Sequence, residues 1–430
     1  MPHSSLPLRQ LLLCAAVIVS ISMGIRHGFG LWLQPVITER EWTRETFSLA
    51  MAVQNICWGL GGPLVGWWAD RKGALGALVL GALLYLVGLL GMAWSTTPTA
   101  LMLSMGVLIG LAQACTTYTV LYGVLGRHVA PAKRSWAMGI IASAGSFGQF
   151  LVVPGASWLI QHLGWHQALW VLAAVASLII PMALGLRDDP RHPPPLPSKL
   201  PRTGAPATGL PPVPAPDSAP ASALHALQEA FTHPGYLLLT AGYFVCGFQL
   251  AFIGVHLPSY LLDHQLAPQV ATTALALIGL FNVLGTYAAG ALGQRWRKNW
   301  ILSGIYALRG LAIAIFVLTP LSAVTVGIFA AVMGALWLST VPPTNAIVAQ
   351  MLGVRHLGLL GALVFLSHQI GSFFGVWLGG RLYDAWGSYT LVWWVCVALS
   401  ALAALLNLPI REHQLPRRRL APSLSPRTLA

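Results

Sequence analysis

The chain has 430 residues, 56% of them hydrophobic and only 8% charged, with a formal net charge of +13. Soluble domains carry roughly 25% charged residues, so a chain this poor in charge and this rich in apolar runs is not a soluble globular protein. The basic residues fall in short segments between apolar runs, without the interleaved aromatics of a single-strand groove, which argues against nucleic acid as a partner.

In chain order, apolar stretches run over 10–35, 46–68, 74–94, 99–126, 135–162 and 165–186, and again over 235–262, 271–292, 300–319, 322–350, 357–381 and 388–409. Crossing about 30 Å of hydrocarbon takes about 20 residues of helix, and each backbone amide in lipid must be satisfied within its own segment. These stretches therefore predict twelve transmembrane helices. The first is too long for the core of a signal peptide and is expected to be a retained span. Between the sets, residues 187–222 hold twelve of the 30 prolines, and such a segment reads as a linker, partly polyproline II. Ser222 is an expected N-cap for a short amphipathic helix with Leu224, Leu227 and Phe231 on one face, lying on the membrane surface. The expected organisation is an N-terminal bundle (1–186), a linker (187–222), a C-terminal bundle (223–410) and a basic tail (411–430). It is an all-α membrane protein of two six-helix pseudo-symmetric halves.

Lysine and arginine set orientation. Nineteen fall on the side of the termini, the linker and the tail, against Arg40, Arg44 and Arg381 on the other. Both termini are thus expected in the cytoplasm, with the chain in the cytoplasmic (inner) membrane. The five cysteines are isolated within apolar runs, so neither a metal site, a disulfide framework nor a cofactor is expected.

The halves echo one another. Gly66-Trp-Trp-Ala-Asp70-Arg71-Lys72-Gly73 follows span two and Gly290-Ala-Leu-Gly-Gln294-Arg295-Trp-Arg297-Lys298 follows span eight, while Gly145-Ser-Phe in span five is matched by Gly371-Ser-Phe in span eleven. Parallel repeats of this kind place a binding site at their interface near the bilayer midplane. Gly66 to Gly73 resembles the GxxxDRxGRR loop signature of the major facilitator superfamily, without its last two arginines. Glu41-Trp42-Thr43-Arg44, Arg134-Ser-Trp-Ala137-Met-Gly139 and Gly380-Arg381-Leu-Tyr-Asp384 are similar to segments of its monocarboxylate and oxalate/formate carriers. The resemblance implies the major facilitator fold and alternating access, with Asp70, Arg71 and Arg295 in an intracellular latch that holds the halves in the outward-facing state. The other reading of Asp70 is a solvated loop turn. The branch's usual Asp and Arg in span eight are replaced by Asn282 and Thr286, which departs from simple proton-coupled lactate transport.

Ionisable groups inside a membrane are costly and point to function. Arg26, beside His27 among the glycines of span one, and Arg309 in span nine qualify. Arg26 falls where the resembled carriers place a substrate-handling lysine. Arg309 stands equally as a ligand contact or as a brace for neighbouring carbonyls. All eleven acidic residues lie in loops, the linker, the tail or at span ends, so the buried arginines have no acidic partner and an anion would supply the counter-charge. His27 or His368 would carry any coupled proton. Tyr118, Tyr122, Gln149, Asn282, Asn345, His368 and Gln369 are further candidates for substrate contact. So are Gln54, Asn55, Gln113, Tyr243 and Gln249, although each alone fits a helix–helix hydrogen bond. His256, near Pro258 at the outer end, is at most a gate residue. The expected activity is secondary transport of a small organic anion by a monomer, coupled to protons or a counter-transported anion. The alternatives are an exporter of amphipathic drugs or lipopeptides and, more remotely, a sensor that does not transport. No enzyme motif occurs: HExxH, GxSxG, GxxxxGK[ST] and paired intramembrane aspartates are all missing.

Overall fold

A computed structural model describes residues 7–187, 223–353 and 357–412. The linker beyond 187, Ser222, Arg355 and the tail beyond 412 lie outside the described residues. Span one comprises Leu8–Gly28 and Gly30–Arg40. Spans two to six are Arg44–Lys72, Ala74–Trp94, Pro98–His128, Pro131–Leu163 and Trp165–Leu184. After the lead-in helix Ala223–Thr232, spans seven to twelve are Pro234–Asp263, Pro268–Leu292, Lys298–Leu318, Ala323–Leu352, Leu357–Trp386 and Thr390–Asn407.

Eleven of these helices are long and apolar enough to cross a membrane. Arg44–Lys72 completes the twelve. It is 29 residues long, but charges at both ends and the Gln54-Asn55 pair dilute its apolar character. The helices form two bundles, each with its own buried core. One end of the molecule carries the starts of spans one and seven and the ends of six and twelve, and is called here the terminal end. The other, with residues 40–44 and 263–268, is the distal end.

Small residues set the tight crossings, as expected where lipid gives helices no hydrophobic reason to associate. In the N-terminal half span five lies on span one, with Gly148 against the main chain of Ser20. In the C-terminal half span eleven lies on span seven, with Gly371 and Gly375 against the carbonyls of Phe244 and Phe248. Span five on one and span eleven on seven are equivalent crossings, although within the echo Gly371 meets main chain while Gly145 meets the side chains of Tyr118 and Met23. The halves meet along spans two and eleven and along spans five and eight.

Spans four and ten, equivalent in the two halves, are both broken. Span four opens at Thr117, which is extended between two helices. Span ten is interrupted between Leu336 and Val341. Pro342 and Pro343 cannot donate to the carbonyls of Leu338 and Ser339, and they occupy the first turn of the following helix, where a missing N–H costs nothing. The lead-in helix packs through Ala226 and Ala230 rather than through its larger residues. Leu224 and Phe231, on the expected apolar face, are exposed, with Leu227 half-buried.

Candidate functional site

The two helices of span one meet at Phe29, whose N–H reaches back to the Arg26 carbonyl at 3.4 Å in a tightened turn. Just before that turn, Arg26 is half-buried and projects toward span two. Its Nη2 donates to Asn55 Oδ1 at 2.6 Å and its guanidinium lies 4.8 Å from the Trp58 ring centre. Its Nε is buried with no partner among the described residues. The guanidinium is therefore held by one neutral amide and an aromatic face, with no carboxylate. A cation in this setting keeps unused donor capacity.

The same place joins the two halves. Gln369 Nε2 donates to the Asn55 carbonyl at 3.1 Å, and Gln369 Oε1 lies 3.0 Å from His368 Nδ1. Gly59 allows this approach, since a Cβ there would meet the Gln369 side chain. Trp58 packs edge-on against Phe365 at 5.2 Å and donates its indole N–H to Thr117 Oγ1 at the break of span four. Phe365 stacks on His368 at 5.9 Å, His368 lies 5.1 Å from Tyr243, and Tyr118 and Tyr122 pair at 5.5 Å. Arg26, Asn55, Trp58, Phe365, His368 and Gln369 thus form one linked cluster. His27 is half-buried beside Arg26, without a side-chain hydrogen bond among the described residues.

Other candidates are occupied elsewhere. Gln149 Nε2 donates to the Leu275 carbonyl at 2.9 Å, and Asn282 Nδ2 donates to Ser146 Oγ at 2.8 Å, so both are spent on the seam between spans five and eight. Asn282 Oδ1 also accepts from the Leu338 N–H at 2.9 Å, fixing one side of the break in span ten. Arg309 fixes the other: fully buried, it donates through Nε and Nη2 to the Leu336 carbonyl and through Nη2 to that of Trp337. The bracing role expected as one of its two readings is the one its contacts fit. Those carbonyls lost their helical partners at the break, and a guanidinium is the side chain that can satisfy both. Gln54 and Gln113 bond to each other, and Gln249 bonds to span twelve. Asn345 is exposed on the terminal side of the span-ten break.

In this state Asp70 forms no latch between the halves. Its carboxylate pairs with Arg127 of its own half at 2.8 Å, not with the C-terminal half. Arg71 lies over Trp67 at 4.1 Å, and Arg295 is exposed. The physical reason is separation. Toward the terminal end from the level of Asn55–Gln369 and Asn282–Ser146, no hydrogen bond or ion pair joins the halves among the described residues.

The distal end is closed by Arg44, Arg381, Asp263 and Asp384, residues that the sequence marks for orientation and resemblance but not as a clamp. Glu41 turns the chain in a left-handed conformation (φ 55°), and Thr43 caps span two. Arg44 then points into the seam between the halves. It pairs with Asp263 at 2.7 Å, donates to Tyr389 Oη at 2.8 Å and stacks on Tyr383 at 3.6 Å. Asp384 accepts from the backbone N–H of Arg44 and Glu45 at 3.2 and 2.7 Å, sitting at the positive end of span two. Glu45 accepts from Arg381 and Trp377. His256 lies behind this clamp, 3.0 Å from Tyr389 Oη and 3.4 Å from Ser48 Oγ of the other half. The missed signal was the placement of Asp263 and Asp384 on the same side as Arg44.

Two six-helix bundles closed at one end around a mid-depth polar cluster define a polytopic carrier. The family model of the Major Facilitator Superfamily matches residues 12–352 and 242–428, and the chain belongs to that superfamily, a family of transporters rather than enzymes. It is 23% identical over 404 residues to the uncharacterized MFS-type transporter YcxA of Bacillus subtilis, covering 90% of this chain and 92% of that one. It is 25% identical over 410 residues to monocarboxylate transporter 13 of Bos taurus, covering 91% and 86%. A fujikurins efflux protein of Gibberella fujikuroi is 26% identical over 330 residues, covering 75% of this chain and 64% of that protein. Among solved structures, a bacterial homologue of the human lysosomal transporter Spinster, inward-facing and occupied, superposes with a TM-score of 0.73 at 14% identity, covering 92% of this chain and 95% of that one.

Proposed function

We propose that the chain is a secondary carrier of a small organic anion, a carboxylate, bound at Arg26. The observation that carries this reading is the half-buried guanidinium held by a neutral amide, with its Nε unpartnered, where the described spans carry acids only near their ends. An arriving carboxylate would replace Asn55 Oδ1 on the guanidinium with a charge-assisted pair, shorter and stronger than the bond to the amide. Similarity to monocarboxylate transporter 13 supports the same class. The distribution of lysine and arginine supports a cytoplasmic terminal end, and on that reading the present state is inward-facing: sealed by Arg44–Asp263, open toward the inside. Transport then requires the halves to rock, with the terminal ends closing as the distal clamp opens. A monomer suffices, because each half contributes to the one site. A proton or a second anion would complete the cycle.

The test is counterflow in proteoliposomes loaded with acetate, lactate and benzoate in turn. Arg26→Ala is expected to abolish counterflow of whichever anion the unaltered protein carries, while remaining monodisperse in detergent. Counterflow at the unaltered rate would overturn the reading.

A second reading rests on an apolar cleft of about 510 Å³ between spans five and eight, lined by Ile140, Phe147, Leu280 and Leu284. An exporter of amphipathic compounds would use that cleft, as the similarity to an efflux protein suggests. In that case Phe147→Ala, rather than Arg26→Ala, would alter transport.

A further inference from the structure

The groups around Arg26 are unusual in kind. Several side chains near it, or on its open terminal side, are aromatic. Span two runs from the distal to the terminal end, so Trp58 lies on the terminal side of Asn55, and on span eleven Phe365 lies on the terminal side of Gln369. Span four brings Tyr118 and Tyr122 to the same side. Tyr118, Tyr122 and Phe365 are all half-buried, with surface still open. The Tyr118 hydroxyl lies against Gly145, where any side chain would displace it. Trp58 is buried, with Arg26 over its ring and Phe365 edge-on to it at 75°, so the open ring surface is that of Phe365 and the two tyrosines. Phe365 and His368 lie nearly parallel at 10°, so the ring series continues into the C-terminal half.

A two- or three-carbon carboxylate would use Arg26 and leave these faces uncovered. We propose that the ligand is an aromatic carboxylate, with its carboxylate on Arg26 and its ring among Trp58, Phe365 and Tyr118. This rests on the anion reading above and adds the substrate class. The carboxylate meets the guanidinium edge in the plane that Trp58 leaves free, and the ring extends toward the terminal end, where the aromatic side chains stand. Both halves then touch the same molecule, Trp58 and Tyr118 from one and Phe365 from the other. Occupancy is thereby sensed across the seam that must later rearrange.

The experiment measures binding to purified full-length protein in nanodiscs by calorimetry. The probes are benzoate, phenylacetate, cyclohexanecarboxylate, acetate and benzyl alcohol. Benzoate or phenylacetate is expected to bind at least about tenfold more tightly than acetate and cyclohexanecarboxylate, as two ring contacts would provide. Phe365→Leu, at a half-buried position that keeps its bulk, is expected to bring the aryl acids to within about twofold of cyclohexanecarboxylate. Equal affinity for benzoate and cyclohexanecarboxylate, or an unchanged preference in Phe365→Leu, would overturn the proposal and leave the anion reading intact. Benzyl alcohol binding as tightly as benzoate would overturn the anion reading itself, and with it this one. So would the binding of none of the carboxylates.

Discussion

Arg26 and Arg309 are both guanidiniums deep among apolar helices, and their contacts separate them. Arg309 gives Nε and Nη2 to two carbonyls that the break in span ten leaves without helical partners. Its removal strands those carbonyls, and each buried unsatisfied group costs about 1–3 kcal/mol. Arg309→Met is therefore expected to lower stability by about 3 kcal/mol or more, read as a fall in the thermal midpoint of the ligand-free protein. Arg309→Lys should recover part of the loss, since an ammonium keeps donors but not the planar fork. Arg26 bonds a single side-chain amide. Arg26→Ala should cost the ligand-free protein no more than about 1 kcal/mol, while removing the stabilisation that a bound anion confers. If Arg26→Ala unfolds the protein and Arg309→Met does not, the two roles are reversed.

At the scale of helices, the broken span ten is held from three sides. Arg309 of span nine holds its carbonyls, Asn282 of span eight accepts from the Leu338 N–H, and Cys246 of span seven lies 3.4 Å from Thr340 Oγ1. Asn282 also donates across the seam to Ser146, so the break and the interface between the halves share one side chain. Asn282→Ala should destabilise the protein by about 2 kcal/mol and raise hydrogen exchange at Leu338 and at the span-five seam together. Changes confined to one of these regions would show that the two are independent. Close crossings give a second test. A methyl at Gly371 would collide with the main chain of Phe244, which cannot move aside as a side-chain tip can. Gly371→Ala is expected to cost about 2 kcal/mol, seen as loss of monodisperse protein in size-exclusion chromatography.

For the whole molecule, the distal clamp is expected to set which conformation is populated. Arg44 is buried, and its pairing with Asp263 and stacking on Tyr383 and Tyr389 cross from one half to the other. Removing one partner of such a pair costs about 3 kcal/mol, enough to shift the balance between states roughly a hundredfold. Arg44→Ala should let a membrane-impermeant thiol reagent reach Ser48→Cys from the distal side, a position fully buried here. Labelling no faster than in the Arg44 background would show that other contacts hold the end closed. Asp70 behaves differently. Its side chain is 66% exposed and its pair with Arg127 stays within one half, so Asp70→Asn should leave the stability of this state nearly unchanged.

Much of this architecture was legible in the sequence, because the bilayer allows few solutions. Apolar length, scarcity of charge and the Gly-Ser-Phe and Gly66–Gly73 echoes determined twelve spans in two related halves, for the physical reason that a backbone in lipid must satisfy itself within a helix. The absence of any mid-span acid was also readable, and with it the expectation of an anion near Arg26. What the sequence could not decide was partnership across the seam, since that depends on which helix faces meet and which end is closed. Only the tertiary structure showed that Gln149, Asn282 and Arg309 bond to neighbouring helices, that Asp70 pairs with Arg127 in this state, and that Arg44 clamps the distal end. The same packing brought Trp58, Phe365 and Tyr118, distant in sequence, to the neighbourhood of Arg26, whose Nε has no partner among the described residues.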